Sequence, residues 1–157
     1  MFCDRAPIST PSEIGDDVYR RAVSWYQATG GDASAGAEEL SAILPYLQVQ
    51  TVAESLTRYL YCGTLSPAGD LYGKEFCRNA VGKPGIPDQE VDRILAKTYF
   101  DVVRNRRPAL ERVAMPVQVD GVPHYCDFYR FIFPLNLKGV SAVAALARFA
   151  DTPTPLN

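Results

Sequence analysis

Apolar residues recur at helical spacing in three parts of the chain. The first part, residues 12–29, carries one apolar stripe made of Ile14, Val18, Ala22 and Trp25. Residues three or four positions apart share one face of a helix, so this stripe predicts an amphipathic helix. A shorter helix is predicted over residues 36–43. The strongest helical pattern spans residues 88–107, where Asp88 is placed to cap the N-terminus and Pro108 ends the helix.

In other parts of the chain, apolar and polar residues alternate or apolar and aromatic residues run together, and both patterns favour strands. Strands are predicted over residues 46–54, 56–64, 110–121, 123–135 and 140–150. Asp120-Gly121 and residues 136–139 are the predicted turns between the last three strands. Several glycines and prolines interrupt residues 66–86, so only short helical turns are predicted there.

The order of these elements predicts an α+β fold. Two strands come first, a long helix crosses over, and three strands joined by short turns pair antiparallel. We therefore expect a five-stranded antiparallel sheet with helices on one face and an N-terminal helix. The chain divides into a flexible leader (1–11), an N-terminal helical segment (12–45), a core (46–150) and a tail (151–157).

Composition argues against several classes of function. The chain has 157 residues, a net charge of −2 and a sequence pI of about 5.4, so it lacks the basic excess of most nucleic-acid-binding proteins. It shows no apolar run long enough to span a membrane and no signal-peptide pattern. A cytoplasmic protein without membrane or nucleic-acid partners is therefore expected. The four cysteines are scattered without a Cys-x-x-Cys pair, and the single histidine removes most metal sites.

His124 and Cys126 are the best hint of an enzyme. They lie two residues apart in a predicted strand, so their side chains point to the same face. A nucleophilic thiol needs a base and an orienting group, and the chain offers neither a second histidine nor a recognisable oxyanion arrangement. We therefore expect a protein without catalytic activity.

Arg130 is the one charged residue in the apolar phrase FYRFIFPL (128–135). Strand periodicity places it on the same face as Phe128 and Ile132. A buried guanidinium requires a partner, because an isolated buried charge is costly. Two partners remain open. One is a carboxylate on a neighbouring strand, and the other is an anionic group of a ligand, such as a carboxylate. The candidate carboxylates are Asp127, Glu111 and Glu54.

Four phrases resemble those of a bacterial branch of the PAS family, in the same order and with similar spacing. They are LSAILPYLQV (40–49), RYLYCGT (58–64), DLYGKEFCRNAVGKP (70–84) and FYRFIFPL (128–135). The resemblance covers roughly residues 15–150. One departure is Tyr129, which stands where the family phrase has an acidic residue before the arginine.

This resemblance implies a non-catalytic sensory or regulatory domain. Such a domain binds a small molecule between helices and sheet, or it associates with other proteins in signalling. We expect a homodimer, an unidentified signalling partner and no cofactor, with the helix that carries Trp25 as a partner surface. The ligand-binding residues that the resemblance implies are Arg130, Phe128, Ile132, Met115, Tyr61 and Phe76.

Two alternatives stay open. The first is a small-molecule binding protein or enzyme of the nuclear-transport-factor-like α+β kind. The second is a PAS sensor that carries haem or flavin. Cys77-Arg78 matches the reactive dipeptide of flavin photosensors, but the residues around it do not match. His124 opens a strand, whereas the haem histidine of such sensors usually lies on the long helix.

Overall fold

The computed structural model describes residues 4–7, 16–53 and 56–156. The helices are α1 (Asp17–Thr29), α2 (Ala37–Ile43), α3 (Pro67–Tyr72), α4 (Lys74–Arg78) and α5 (Gln89–Asn105). The strands are β1 (Asp4–Pro7), β2 (Leu47–Ala53), β3 (Leu56–Cys62), β4 (Ala109–Val119), β5 (Val122–Leu137), β6 (Val140–Phe149) and β7 (Thr154–Pro155). No helix of the described ranges is both long and apolar enough to cross a membrane.

The strands form one antiparallel sheet in the order β1-β4-β5-β6-β2-β3, and β7 pairs with β5. The predicted α+β class is therefore confirmed, with two strands, a helical crossover through α3–α5 and a three-stranded meander. The sheet has two more strands than the five predicted. Residues 4–7 of the predicted leader pair with β4, and residues 154–155 of the tail pair with β5. Strands of this length are too short for periodicity to indicate them. The other residues of the predicted leader (1–11) lie outside the described ranges.

Helices cover both faces of the sheet, and β5 contributes side chains to each. We call the side that carries α1 and α2 the α1 face, and the side that carries α3, α4 and α5 the α5 face. Phe131 and Phe133 of β5 belong to the core cluster of the α1 face. Phe128 and Ile132 belong to clusters of the α5 face. Successive side chains of a strand point to opposite faces, so the apolar residues of β5 fill both interiors.

Helix α1 is capped at both ends and is anchored to the rest of the chain by its buried Trp25. Asp16 caps its N-terminus, because its Oδ1 accepts the Tyr19 N–H at 2.9 Å. Gly30 ends it in the left-handed conformation that glycine adopts most easily, at φ 64°. Trp25 is 4% exposed, and its Nε1–H donates to the Gly36 carbonyl at 2.9 Å. The Trp25 side chain is thus buried within the chain and is not exposed to a partner.

Candidate functional site

A cavity of about 50 Å³ lies on the α5 face, between the sheet and helices α3 and α5. Its wall is mostly apolar, with residues such as Leu71, Val117 and Phe149. The polar side chains that line it are Gln48, Tyr72, Tyr99 and Arg130. An apolar enclosure with a few convergent polar groups is the usual form of a small-molecule site.

Arg130 forms a buried ion pair with Glu111 on the neighbouring strand. The two residues lie opposite each other in the register of β4 and β5, and Arg130 is 2% exposed. Arg130 Nε donates to Glu111 Oε1 at 2.9 Å, and Nη2 donates to the same oxygen. Nη2 also donates to the Leu95 carbonyl of α5 at 3.2 Å. Of the three candidate carboxylates, Glu111 is therefore the partner.

The other two candidates do not pair with Arg130 in the described residues. Asp127 binds Arg112 through two hydrogen bonds, of 2.9 and 2.6 Å. This ion pair lowers the pKa of the Asp127 carboxyl. Glu54 lies outside the described ranges.

Side chains of helix α5, which packs on this face of the sheet, contact both members of the ion pair. Thr98 Oγ1 donates to the Glu111 carboxylate at 3.3 Å. The guanidinium carbon of Arg130 lies 5.4 Å from the centroid of the Tyr99 ring, within the range of a cation–π interaction. Burial raises the pKa of the Tyr99 hydroxyl, so this group stays protonated. The charges of Arg130 and Glu111 thus cancel inside a shell of α5 groups.

One nitrogen of Arg130 remains without an acceptor. Nη1 is buried and has no hydrogen-bond partner among the described residues. A guanidinium carries five N–H donors, and the Glu111 and Leu95 oxygens engage only Nε and Nη2. An unpaired buried donor costs about 1–3 kcal/mol. Arg130 also lines the cavity, so an acceptor bound beside Nη1 would satisfy this donor.

The structure brings some of the predicted ligand-binding residues to this cavity. Phe128 lines it together with Arg130. Met115 and Ile132 are fully buried on the same face, but they pack in the core clusters beside the cavity. Phe76 lies one layer away, at 5.3 Å from the ring of Tyr72, which does line the cavity.

Tyr61 lies on the α1 face, away from the cavity. Across the β2–β3 pair, Val49 faces Tyr61 and Gln50 faces Tyr59, so Leu60 is an extra residue in the register. Such a bulge changes the side to which the following residues point. Tyr61 therefore packs with the α1-face cluster, and Tyr59 is buried in a cluster of the α5 face.

Sequence reasoning missed several cavity residues, of which Tyr99 is the most important. A signal for it was present, because Leu95, Tyr99 and Val102 are spaced by four and three residues on α5. Leu95 and Tyr99 line the cavity, and all three face the sheet. Gln48 of β2 gave no such signal, since a glutamine in a strand is ordinarily exposed.

The other chemistry considered from the sequence is not assembled in the described residues. His124 Nδ1 lies 2.9 Å from the Val122 carbonyl, and the Cys126 thiol donates to the His124 carbonyl at 3.7 Å. Burial raises the pKa of the Cys126 thiol to about 11, which keeps it protonated near neutral pH. The cavity wall does not include Cys77, the cysteine of the flavin hypothesis. Among the described residues, no group of three or more His, Cys, Asp or Glu side chains could hold a metal ion.

A larger groove of about 680 Å³ lies between α1 and α2. Its rim is formed by exposed charged residues such as Asp17, Arg21 and Glu39. Arg21 and Asp17 form an exposed ion pair at 3.0 Å, which is an ordinary feature of a helix surface. We therefore take the smaller cavity with the buried guanidinium as the candidate site.

Comparison of the chain with protein-family models, with curated proteins and with solved structures finds no match.

Proposed function

We propose that this chain is a non-catalytic, PAS-like sensory or regulatory module that binds a small molecule in the cavity on the α5 face. The observation that carries the proposal is Arg130 Nη1, a buried donor without a partner among the described residues, on a side chain that lines a mostly apolar cavity. The order of the elements and the four family phrases support it independently.

The charge of the site favours an uncharged ligand. Glu111 already neutralises Arg130, so a ligand carboxylate would leave a net negative charge in a buried place. A neutral acceptor, such as a carbonyl or ether oxygen, would satisfy Nη1 without that cost. The ligand we propose is therefore an uncharged and largely apolar molecule with one hydrogen-bond acceptor, in place of the anionic group considered first.

The size of the cavity favours a small ligand. Its volume of about 50 Å³ exceeds the roughly 10–15 Å³ that one water molecule requires. It is far below the roughly 300 Å³ at which pockets for larger ligands begin. We therefore expect a molecule of a few non-hydrogen atoms, unless α3 moves away from the sheet when the ligand binds.

Association with another protein is a second candidate function, and one surface favours it. Strand β3 lies at an edge of the sheet and exposes Leu56 (58% exposed) and Leu60 (37% exposed). Exposed apolar residues on an edge strand are suited to contact with a second copy or a signalling partner.

Native mass spectrometry of the protein purified from its own cells tests both functions in one measurement. The ligand proposal predicts a protein ion that carries an additional small mass, which activation in the gas phase removes. An ion at the mass of the bare chain, under conditions that preserve a known weak complex, would contradict it. The oligomeric state in the same spectrum reports whether copies associate.

A cavity-filling variant links the bound mass to this cavity. Ala147 lies opposite Arg130 on β6 and lines the cavity, so Ala147→Val adds two methyl groups there and leaves the Arg130–Glu111 pair in place. We expect Ala147→Val to lose the bound mass. Ala114→Val is the matched control, because Ala114 is a half-buried strand residue outside the cavity wall, and it should keep the bound mass.

A further inference from the structure

Two cysteine side chains lie in direct contact beside the candidate site. Cys62 ends β3 and Cys77 lies in α4, and their sulfur atoms are 3.3 Å apart. The Cys62 thiol donates to Cys77 Sγ, and the Cys77 thiol donates to the Gly63 carbonyl at 3.5 Å. Both residues are free and buried, with exposed fractions of 5% and 3%.

Between the two cysteines the chain folds back from β3 to α4, and two glycines allow the backbone segments to approach closely. A Cβ atom at Gly63 would lie 2.2 Å from the Pro45 carbonyl oxygen. A Cβ atom at Gly69 would lie 2.1 Å from the Thr64 carbonyl oxygen. No larger residue fits at either position without displacing main chain, so β3, α3 and α4 are held in a compact arrangement. The contact between the thiols therefore follows from the close backbone approach at these two glycines.

We propose that Cys62 and Cys77 are an oxidation site, at which a hydroperoxide forms an intramolecular disulfide that links β3 to α4. In the first step, one sulfur, as thiolate, attacks a peroxide oxygen. An S–O bond forms, the O–O bond breaks, and the departing oxygen takes up the thiol proton. In the second step, the other thiolate attacks the sulfenic sulfur. The S–S bond forms, the S–O bond breaks, and water leaves with the second thiol proton. Two thiols lose two electrons, and the hydroperoxide is reduced to one water and one alcohol, or to two waters when it is hydrogen peroxide.

Only a small displacement separates the two states. A disulfide has an S–S bond of about 2.05 Å, so the sulfur atoms must approach by roughly 1.2 Å from their distance of 3.3 Å. Helix α4 has five residues and packs mainly on α3, so it is a short element to move. The two cysteines share a cluster with Ala68 and Tyr72, which also line the cavity. The bond would therefore fix one wall of the candidate site.

Burial makes this reaction slow. It raises the pKa of the Cys62 thiol to about 12, so little reactive thiolate is present at neutral pH. Oxidation must then proceed when α4 opens locally and exposes the sulfur atoms. The rate should rise with pH and with mild destabilisation of α4.

Peptide mapping of the folded protein after treatment with hydrogen peroxide tests the proposal directly. Free thiols are alkylated after the treatment, and the protein is digested with trypsin. Cleavage after Arg58, Lys74 and Arg78 places Cys62 in residues 59–74 and Cys77 in residues 75–78. We expect these two peptides to be recovered joined, with Cys126 still alkylated, and we expect dithiothreitol to separate them.

Three further measurements make the result decisive. Cys77→Ser should abolish the joined peptides, and Cys126→Ser, which changes another buried cysteine, should retain them. Because the bond closes a loop of about 15 residues, the oxidised protein should have a Tm roughly 5–10 °C higher. Recovery of both peptides alkylated from peroxide-treated folded protein would overturn the proposal. So would a joined pair that forms only in denaturant. Neither result depends on whether a ligand occupies the cavity.

Discussion

On the α1 face of the sheet, aromatic rings fill the interior. Tyr19 lies against Phe131 and Trp25 against Phe133, with ring centroids 6.0 and 5.9 Å apart. On the α5 face, the same strand β5 carries Arg130, which is paired with Glu111 beside a cavity. One strand thus serves two interiors of different chemistry. The α1 face also carries an ion pair, Arg112–Asp127, but its arginine is 48% exposed. The α5 face keeps a buried guanidinium and a cavity in its interior, which packing alone would not require.

This difference separates a structural face from a candidate functional one. Replacing a buried ion pair by apolar residues is often neutral or stabilising, so the pair on the α5 face is weak evidence for stability. The described residues of both faces also contain buried polar atoms without partners, Tyr19 Oη on one face and Arg130 Nη1 on the other. Substitutions at these groups show whether the two faces differ in function or only in composition.

The largest effect is expected from breaking the ion pair on one side. Arg130→Met leaves the Glu111 carboxylate buried without its cation, and we expect the free energy of unfolding to fall by about 3 kcal/mol or more in urea titrations. The double variant Arg130→Met/Glu111→Leu removes both charges and should recover most of that loss. If the single variant were as stable as the natural protein, the pair would not be a structural unit.

A smaller effect is expected from Asp92, a half-buried carboxylate of the α5 face. Burial raises the pKa of its carboxyl to about 6, above the unfolded value of about 3.9. The folded state therefore binds the proton more tightly, and this group's contribution to stability increases as the pH falls from 7 to about 4. Asp92→Asn should raise the free energy of unfolding by about 2 kcal/mol at pH 7.5.

The pH dependence distinguishes this cause from a general change in packing. The asparagine oxygen still accepts the Ile86 N–H, which the Asp92 carboxylate accepts at 3.2 Å. The difference between Asp92→Asn and the natural protein should therefore shrink towards zero near pH 4. A difference that stays constant between pH 4 and 7.5 in urea titrations would contradict this explanation.

The smallest effect is expected on the α1 face. The Tyr19 hydroxyl is buried without a partner among the described residues, and burial raises its pKa. Tyr19→Phe removes an unsatisfied group, so the free energy of unfolding should stay the same or rise by up to about 1 kcal/mol. Tyr59→Phe is the contrasting variant, because the Tyr59 hydroxyl accepts a hydrogen bond from Gln48 at 3.2 Å and its loss should destabilise. A clear loss of stability in Tyr19→Phe would show that the α1 face also depends on a polar contact.

Most of the fold could be predicted because its long elements have strong periodicity. The helix predicted over 88–107 is α5, and Asp88 does cap it by accepting the Val91 N–H at 3.1 Å. The strand predicted over 123–135 is β5, which extends two residues further to Leu137. The short strands β1 and β7 could not be predicted, because their pairing depends on tertiary contacts with β4 and β5.

The candidate site was predicted only in part. Arg130 was named as a site residue, and Glu111 was one of three carboxylates named as its possible partners, because an isolated buried charge is costly. Tyr61, named as a ligand-binding residue, lies on the α1 face, away from the cavity, because a bulge shifts the register of β3 and such a bulge leaves no mark in the sequence. Cys62 contacts Cys77 because the chain folds back through α3 and places α4 beside the end of β3. The spacing of the two cysteines in the sequence does not reveal this contact.

The strand order also determines how late in synthesis the α1 face of the sheet can be completed. Helix α1 is synthesised early, yet the surface that buries it belongs to β5 and β6, and β2 pairs with β6 across about ninety residues of chain. About 120 residues separate the end of α1 from the end of β6. At roughly 5–20 residues per second, the apolar stripe of α1 is therefore exposed for about 6 to 24 seconds before its binding surface is complete. During that interval the exposed apolar stripe of α1 is available for binding by chaperones. Trp25 is the only tryptophan of the chain, so a change in its fluorescence would report the moment at which α1 packs on the sheet.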